Sequence, residues 1–145
     1  MRGNPAAGGC TFGSVCVAAN GILTDGAMRE QYANDPDVHV AGLNTPPAAV
    51  GVTIYEIPES GTYTFSVTYE NYNASDGLTE PRDMSLLVNG QLAGTLNFAV
   101  TGSWYETYSL VSTASVQVPA GHSTFTIACQ AGDSFHINVW KVELS

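Results

Sequence analysis

After Pro47 the chain alternates apolar and polar residues with a period of two, in one short run after another. In Tyr63-Thr64-Phe65-Ser66-Val67-Thr68-Tyr69 every odd position is apolar and every even one is Ser or Thr. Successive side chains of an extended strand point to opposite faces, so this pattern predicts a strand with one face in a core and the other in water. The same reading predicts strands over 50–57, 84–88, 92–98, 105–110, 112–118, 123–129 and 135–144. No long helix is predicted anywhere.

The punctuation between the runs agrees. Asn89-Gly90 separates two runs and is a strong short signal for a hairpin, because both residues accept the positive φ of a type I′ turn. Glu59-Ser60-Gly61 and Pro119-Ala120-Gly121 each close one strand and open the next. Many short strands at intervals of about 8–12 residues, without helices between them, define an all-β chain built as an antiparallel β-sandwich or jelly roll. Before that region the pattern is weaker. Residues 1–14 are rich in Gly, Ala and Asn without periodicity and read as a flexible arm, leaving 15–145 as one folded domain. Segment 24–47 holds five charges before Val38, several turn formers and Pro46-Pro47, which predicts a long loop with at most one helical turn near 27–32.

Composition narrows the function classes. With 145 residues there is room for one domain, and a chain of this size buries roughly 68–70% of its unfolded surface, enough for a core without metal or disulfide staples. Hydrophobic residues make up 44% and the mean hydropathy is +0.04, which rules out intrinsic disorder. Four basic residues, Arg2, Arg29, Arg82 and Lys141, stand against thirteen acidic ones, for a formal net charge of -9. Phosphate backbones are bound by clustered cations that release counterions, so nucleic acid is excluded as a partner, and anionic membrane surfaces are disfavoured for the same reason. No stretch approaches 18 consecutive apolar residues, as a transmembrane helix would.

Cys10, Cys16 and Cys129 allow three single disulfides, each leaving one thiol over. A bridge from the N-terminal segment to Cys129 would fit an oxidising compartment, and burial as small apolar side chains fits equally well. No metal-ligand spacing is present, so neither a metal nor a cofactor is expected.

The C-terminal two thirds carries a more specific signal. Gly61-Thr62-Tyr63-Thr64-Phe65 leads to Tyr69-Glu70-Asn71. Arg82 and Leu86-Leu87-Val88-Asn89-Gly90 follow, then Thr101-Gly102-Ser103-Trp104, Val118-Pro119-Ala120-Gly121 and Ile137-Asn138-Val139-Trp140-Lys141-Val142. In order and spacing this series resembles carbohydrate-binding module families 6 and 35, over about residues 50–144. The resemblance implies a galactose-binding-like β-sandwich that binds glycans without catalysis, mostly within larger secreted enzymes. It also implies a site in loops at one end of the sandwich, where aromatic rings stack on a pyranose and an Asn near the C-terminus bonds its hydroxyls.

A pyranose has an apolar C–H face and a rim of hydroxyls, and therefore calls for a flat ring with neutral donors and acceptors around it. The resemblance carries these roles to Trp104 and Asn138. Tyr72, Tyr105 and His39 are added because loops or strand ends should place them near the same rim. Each has a plainer reading. Alternation back from Leu110 and Tyr108 puts Trp104 on the inward face as a core or rim plug. Asn138 between Ile137 and Val139 would simply meet solvent or satisfy a loop backbone, Tyr72 would be an exposed loop tyrosine, and His39 a strand-edge residue. Arg82 would form a surface pair with Glu80 or Asp83, worth little energy.

Two departures concern calcium. The resembled families carry an acidic pair in the first strand and an Asp two positions after the terminal Asn. Here residues 10–21 contain no Asp or Glu, and the last position is Trp140. The oxygen ligands calcium requires are missing, so none is expected at that site. Asp25, Asp35 and Asp37 could form a separate site, though an acidic loop is ordinarily just solvated.

An enzyme is not expected. The chain has no Gly-x-Ser-x-Gly elbow, no His-Glu-x-x-His and no phosphate-cradling glycine motif, and His39, His122 and His136 lack a nucleophile at suitable spacing. The expected partner is a polysaccharide, neutral rather than acidic given so few cations, with a parent enzyme or an oligomeric assembly as further partners. The start has no apolar run behind Arg2, so an extracellular location would need a signal outside this sequence. The alternative is a decoration or tail part of a virion, or of a surface fibre, with the arm clasping a neighbour.

Overall fold

The computed structural model describes residues 9–31, 38–70, 82–99, 110–133 and 137–145. Among these residues twelve strands form two sheets packed face to face. The first sheet contains β1 (Gly9–Thr11), β3 (Ile22–Thr24), β6 (Ala49–Ile57), β8 (Arg82–Val88), β9 (Gln91–Phe98) and β11 (Gly121–Ala128). Its order is β1-β6-β11-β8-β9, with β3 also on β6. The second contains β2 (Cys16–Val17), β4 (Met28–Glu30), β5 (His39–Leu43), β7 (Gly61–Glu70), β10 (Leu110–Val118) and β12 (Ile137–Leu144). Its order is β10-β7-β12-β5-β4, with β2 also on β12. Among the described residues all strand pairs are antiparallel except β1 with β6.

The period-two runs became the inner faces. Phe65, Val67 and Tyr69 of β7 are buried while Thr62 and Thr64 are exposed, and Val50, Val52 and Ile54 of β6 meet them from the other sheet. Phe65 stacks on Phe125 of β11 with ring centroids 5.0 Å apart and planes 7° from parallel, joining the two layers near the middle of the core. At the Asn89-Gly90 turn both residues have positive φ, 52° and 83°, as a two-residue type I′ hairpin requires.

Four expectations are corrected. The loop-like segment 24–47 contains a small hairpin, β4 against β5, where at most a helical turn was predicted. Asp25 and Gly26, with φ of 57° and 107°, turn the chain from β3 into β4, which becomes a strand through its pairing with β5. Gly42 then approaches so closely that a Cβ there would lie 2.3 Å from the Gly26 carbonyl oxygen. Second, the arm begins earlier than residue 15 to be folded, since Gly9–Thr11 already pairs with β6. Third, Cys10 bonds to Cys16, so the disulfide links β1 of one sheet to β2 of the other, and Cys129 is a buried free thiol. Fourth, no break occurs at Val111, because β10 runs through it opposite β7.

Register fixes which end of the sandwich carries the long connections. Leu110 lies opposite Tyr69, Asn138 opposite Glu70, Arg82 opposite Phe98 and Ile137 opposite Leu43. The ends of β5, β7, β9 and β11 and the starts of β6, β8, β10 and β12 therefore share one apex. The tight turns at 58–60, 89–90 and 119–120 lie at the other end.

Candidate functional site

At that apex the described residues show a concentration of buried polar groups. Asn138 (6% exposed) stands opposite Glu70 (0%) on adjacent strands, and both belong to the outer face of the second sheet, because Val139 and Tyr69 beside them point into the core. Directly opposed residues of an antiparallel pair have Cβ atoms about 4.5–5.5 Å apart, so a carboxamide and a carboxylate converge here. A carboxamide both donates and accepts, and a carboxylate accepts, which is the neutral-to-acidic set that hydroxyl groups engage.

On the first sheet Arg82 occupies the corresponding end. It alternates with Met84, Leu86 and Val88, all buried, and is itself only 5% exposed. Arg82, expected at the surface, is thus a buried residue at the sandwich mouth, a placement legible in the strand parity. Glu70 gave no such sign, since Ser66 and Thr68 before it on the same face are half-buried.

The ends of the strands are tied down. Tyr69 donates its hydroxyl to the Ala99 carbonyl at 3.0 Å, and burial holds that phenol above its ordinary pKa. Ser112 Oγ donates to the Asn97 carbonyl at 2.6 Å. Asp133 accepts from the Ser85 backbone N–H (3.1 Å), from Ser85 Oγ (2.9 Å) and from the Gln130 N–H (2.9 Å), clamping the turn after β11 onto β8. These anchors fix the strand ends from which the apical connections depart.

Beside this clamp, burial pushes the Cys129 thiol up to about 11, and the Asp133 carboxylate adds to the effect. The sign follows from where the proton sits. Below pH 9 the thiol is neutral in both folded and unfolded chains and its contribution is fully present. Above the unfolded value of 9.0, only the unfolded chain ionises readily, so stability is lost as pH rises toward 11. At about 1.4 kcal/mol per pH unit the loss is on the order of 2–3 kcal/mol. Cys129→Ala should flatten this alkaline limb when urea midpoints are compared from pH 8 to 11. Parallel decline of the two proteins would contradict it.

Of the residues singled out from sequence, Trp104, Tyr105 and Tyr72 lie outside the described residues. Asn138 is at the apex, buried where solvent contact was the plain alternative. His39 is not at the rim: it starts β5 at the end away from the apical connections, is 0% exposed, and places Nε2 3.0 Å from Glu30 Oε1. Of the three aspartates considered for a metal, Asp35 and Asp37 also lie outside the described residues. Among the described residues no group of three or more His, Cys, Asp or Glu side chains could hold a metal ion.

No protein-family profile and no curated protein matches the chain. Solved structures do. A family 35 carbohydrate-binding module from Clostridium thermocellum superposes with a TM-score of 0.74 at 19% identity, over 90% of this chain and 95% of that one. Part of the cycloisomaltooligosaccharide glucanotransferase of a Paenibacillus species, solved with cycloisomaltoheptaose, gives 0.76 at 21% identity, over 92% of this chain and 18% of the enzyme. Part of the isomalto-dextranase of Arthrobacter globiformis T6, solved with panose, gives 0.74 at 20% identity, over 90% of this chain and 23% of the enzyme. This chain therefore spans less than a quarter of either enzyme, and 95% of the module. Its fold is the two-sheet antiparallel β-sandwich that these structures share.

Proposed function

We propose that the protein is a non-catalytic carbohydrate-binding module that holds a neutral glycan at the apex of its sandwich. The observation that carries this reading is the match of 90% of this chain to 95% of a family 35 carbohydrate-binding module. The apical pair Asn138 and Glu70 supports it with the right donor and acceptor chemistry. Trp104 supplies the stacking ring, with Tyr72 and Tyr105 as further contacts, and Asn138 fixes the hydroxyl rim. No bond is broken. Each hydroxyl contact replaces one to water at small net gain, so a single site binds weakly and gains from being tethered. The natural setting is extracellular, beside a parent enzyme acting on the same polymer. No observation favours the assembly reading, in a virion or a fibre.

Affinity electrophoresis through gels containing dextran or a β-1,3-galactan tests the proposal. Retardation is expected, and Trp104→Ala should weaken it about tenfold, as loss of one stacking ring implies. Asn138→Ser should weaken it as well, with an unchanged circular dichroism spectrum showing that the fold survives. Binding indifferent to both substitutions, or no retardation by any neutral polysaccharide, overturns it.

A further inference from the structure

On one side of the sandwich the two sheets end on β9 and β10. Among the described residues β9 pairs with β8 alone and β10 with β7 alone. Ser112 of β10 bonds the Asn97 carbonyl of β9 toward the apex, and from there to the turns at 89–90 and 119–120 the two edges part around an open groove of about 540 Å³. Val88, Leu92, Val116 and Pro119 give the groove apolar walls, with the amides of Gln91 and Gln117 among them. No charged residue lines it. Neither β9 nor β10 contains a charged residue or a proline, the usual means by which an edge strand is kept from pairing with another chain.

Beside the groove the pairing of β8 with β9 slips by one residue. Leu86 stands opposite Gly94 but Leu87 opposite Leu92, leaving Ala93 as the inserted residue. Without the slip Leu92 would stand opposite Val88 and point into the core, since directly opposed residues share a face. The bulge re-aims it to the outer face beside half-buried Leu87, where it is 67% exposed, more than any other large apolar side chain among the described residues. An apolar knob and an uncharged hollow thus adjoin on one surface.

We propose that this strip is a two-fold interface between copies of the chain, with Leu92 of each copy seated in the groove of the other. An isologous contact needs a surface that presents both halves of its own complement, and a second copy supplies a knob for this hollow and a hollow for this knob. Charge selects the same face. Each copy carries a formal net charge of -9 and repels another, so close approach favours a surface without carboxylates. The other exposed apolar side chains are less suited: Met28 adjoins Arg29 and Glu30, and Val15 and Val111 share their hollow with Lys141 and Glu143. The strip lies toward the turns, which leaves both apices open, and its pairing holds whether or not they bind glycan.

Sedimentation velocity of the whole chain from about 1 to 500 μM tests the interface. A reversible equilibrium of monomer and dimer is expected, with a dissociation constant on the order of 10–100 μM for so small a contact. Salt should strengthen it by screening the like net charges. Leu92→Ser should raise the constant at least about tenfold, because two leucines return to water for each dimer lost. Ala93→Glu keeps Leu92 but sets carboxylate against carboxylate, so it should dissociate the dimer at low salt and regain it in about 1 M sodium chloride. Both positions are exposed, so folding is not at stake. Ile22→Ser alters a similarly exposed residue on β3 and should leave the equilibrium unchanged. A single 15.2 kDa species over the whole range overturns the second copy as occupant and leaves the groove to a foreign segment. A dimer weakened equally by Ile22→Ser, or indifferent to both Leu92→Ser and Ala93→Glu, puts the contact elsewhere and overturns it too.

Discussion

Phe65→Ala is expected to lower the free energy of unfolding by about 3–5 kcal/mol, the cost of emptying a fully buried aromatic site that cannot collapse. Phe65 is 0% exposed on β7, and its ring lies 5.0 Å from that of Phe125 on β11. The stack joins the two sheets through aromatic rings, as Tyr69 against Phe98 does nearer the apex, so removing one member takes away both its own burial and the contact that seats the other. A domain of this size has on the order of 5–15 kcal/mol in total, and the variant should therefore be partly unfolded at physiological temperature. Phe65→Leu keeps most of the volume and should recover more than half of the loss. Urea unfolding followed by near-ultraviolet circular dichroism measures both. A loss below about 1 kcal/mol for the alanine variant would mean that the core is not organised around this pair.

Asp133→Ala is the second large effect, and it reaches the candidate site. The carboxylate is the acceptor for two backbone N–H groups, those of Ser85 and Gln130, and for the Ser85 hydroxyl. Ser85 is 6% exposed, so its N–H has little access to replacement water. A buried donor stripped of its partner costs about 1–3 kcal/mol, which sets the expected loss for the variant at about 2–4 kcal/mol. Asp133→Asn retains one carbonyl oxygen and should fall between the two. β12 starts at Ile137, four positions on, and carries Asn138 as its second residue. Releasing the turn should therefore loosen that carboxamide as well, and glycan affinity should fall together with thermal stability. Stability within 0.5 kcal/mol of the parent would show that the clamp is solvated rather than structural.

The Cys10–Cys16 bond illustrates where reading along the chain stops. Three pairings were open, because cysteines separated by six residues or by more than a hundred are equally free to meet once a fold is unspecified. The sandwich decides it by bringing β1 to the edge of one sheet and β2 to the edge of the other, with the two Cα atoms 5.9 Å apart. The β4–β5 hairpin is a comparable case. Its strands are three and five residues long, too short for periodicity to register, and Met28–Glu30 became a strand only because β5 offers it hydrogen bonds. His39 moved from expected rim to buried partner of Glu30 for the same reason.

What the linear chain determined by itself is the alternation: which residues of 50–54, 63–69, 84–88, 112–118 and 123–127 face the core follows from a side-chain period of two, and the all-β sandwich follows from how often it recurs. The hairpin at Asn89-Gly90 is equally local, since the backbone demands positive φ at both positions. Arg82 was legible by parity with Met84, Leu86 and Val88. The tertiary structure alone decided the rest. Register across strands set Glu70 opposite Asn138, and one inserted residue in β12 turned Trp140 and Lys141 to a common face. Both depend on pairings between segments about seventy residues apart, and no local rule of propensity or period contains that information.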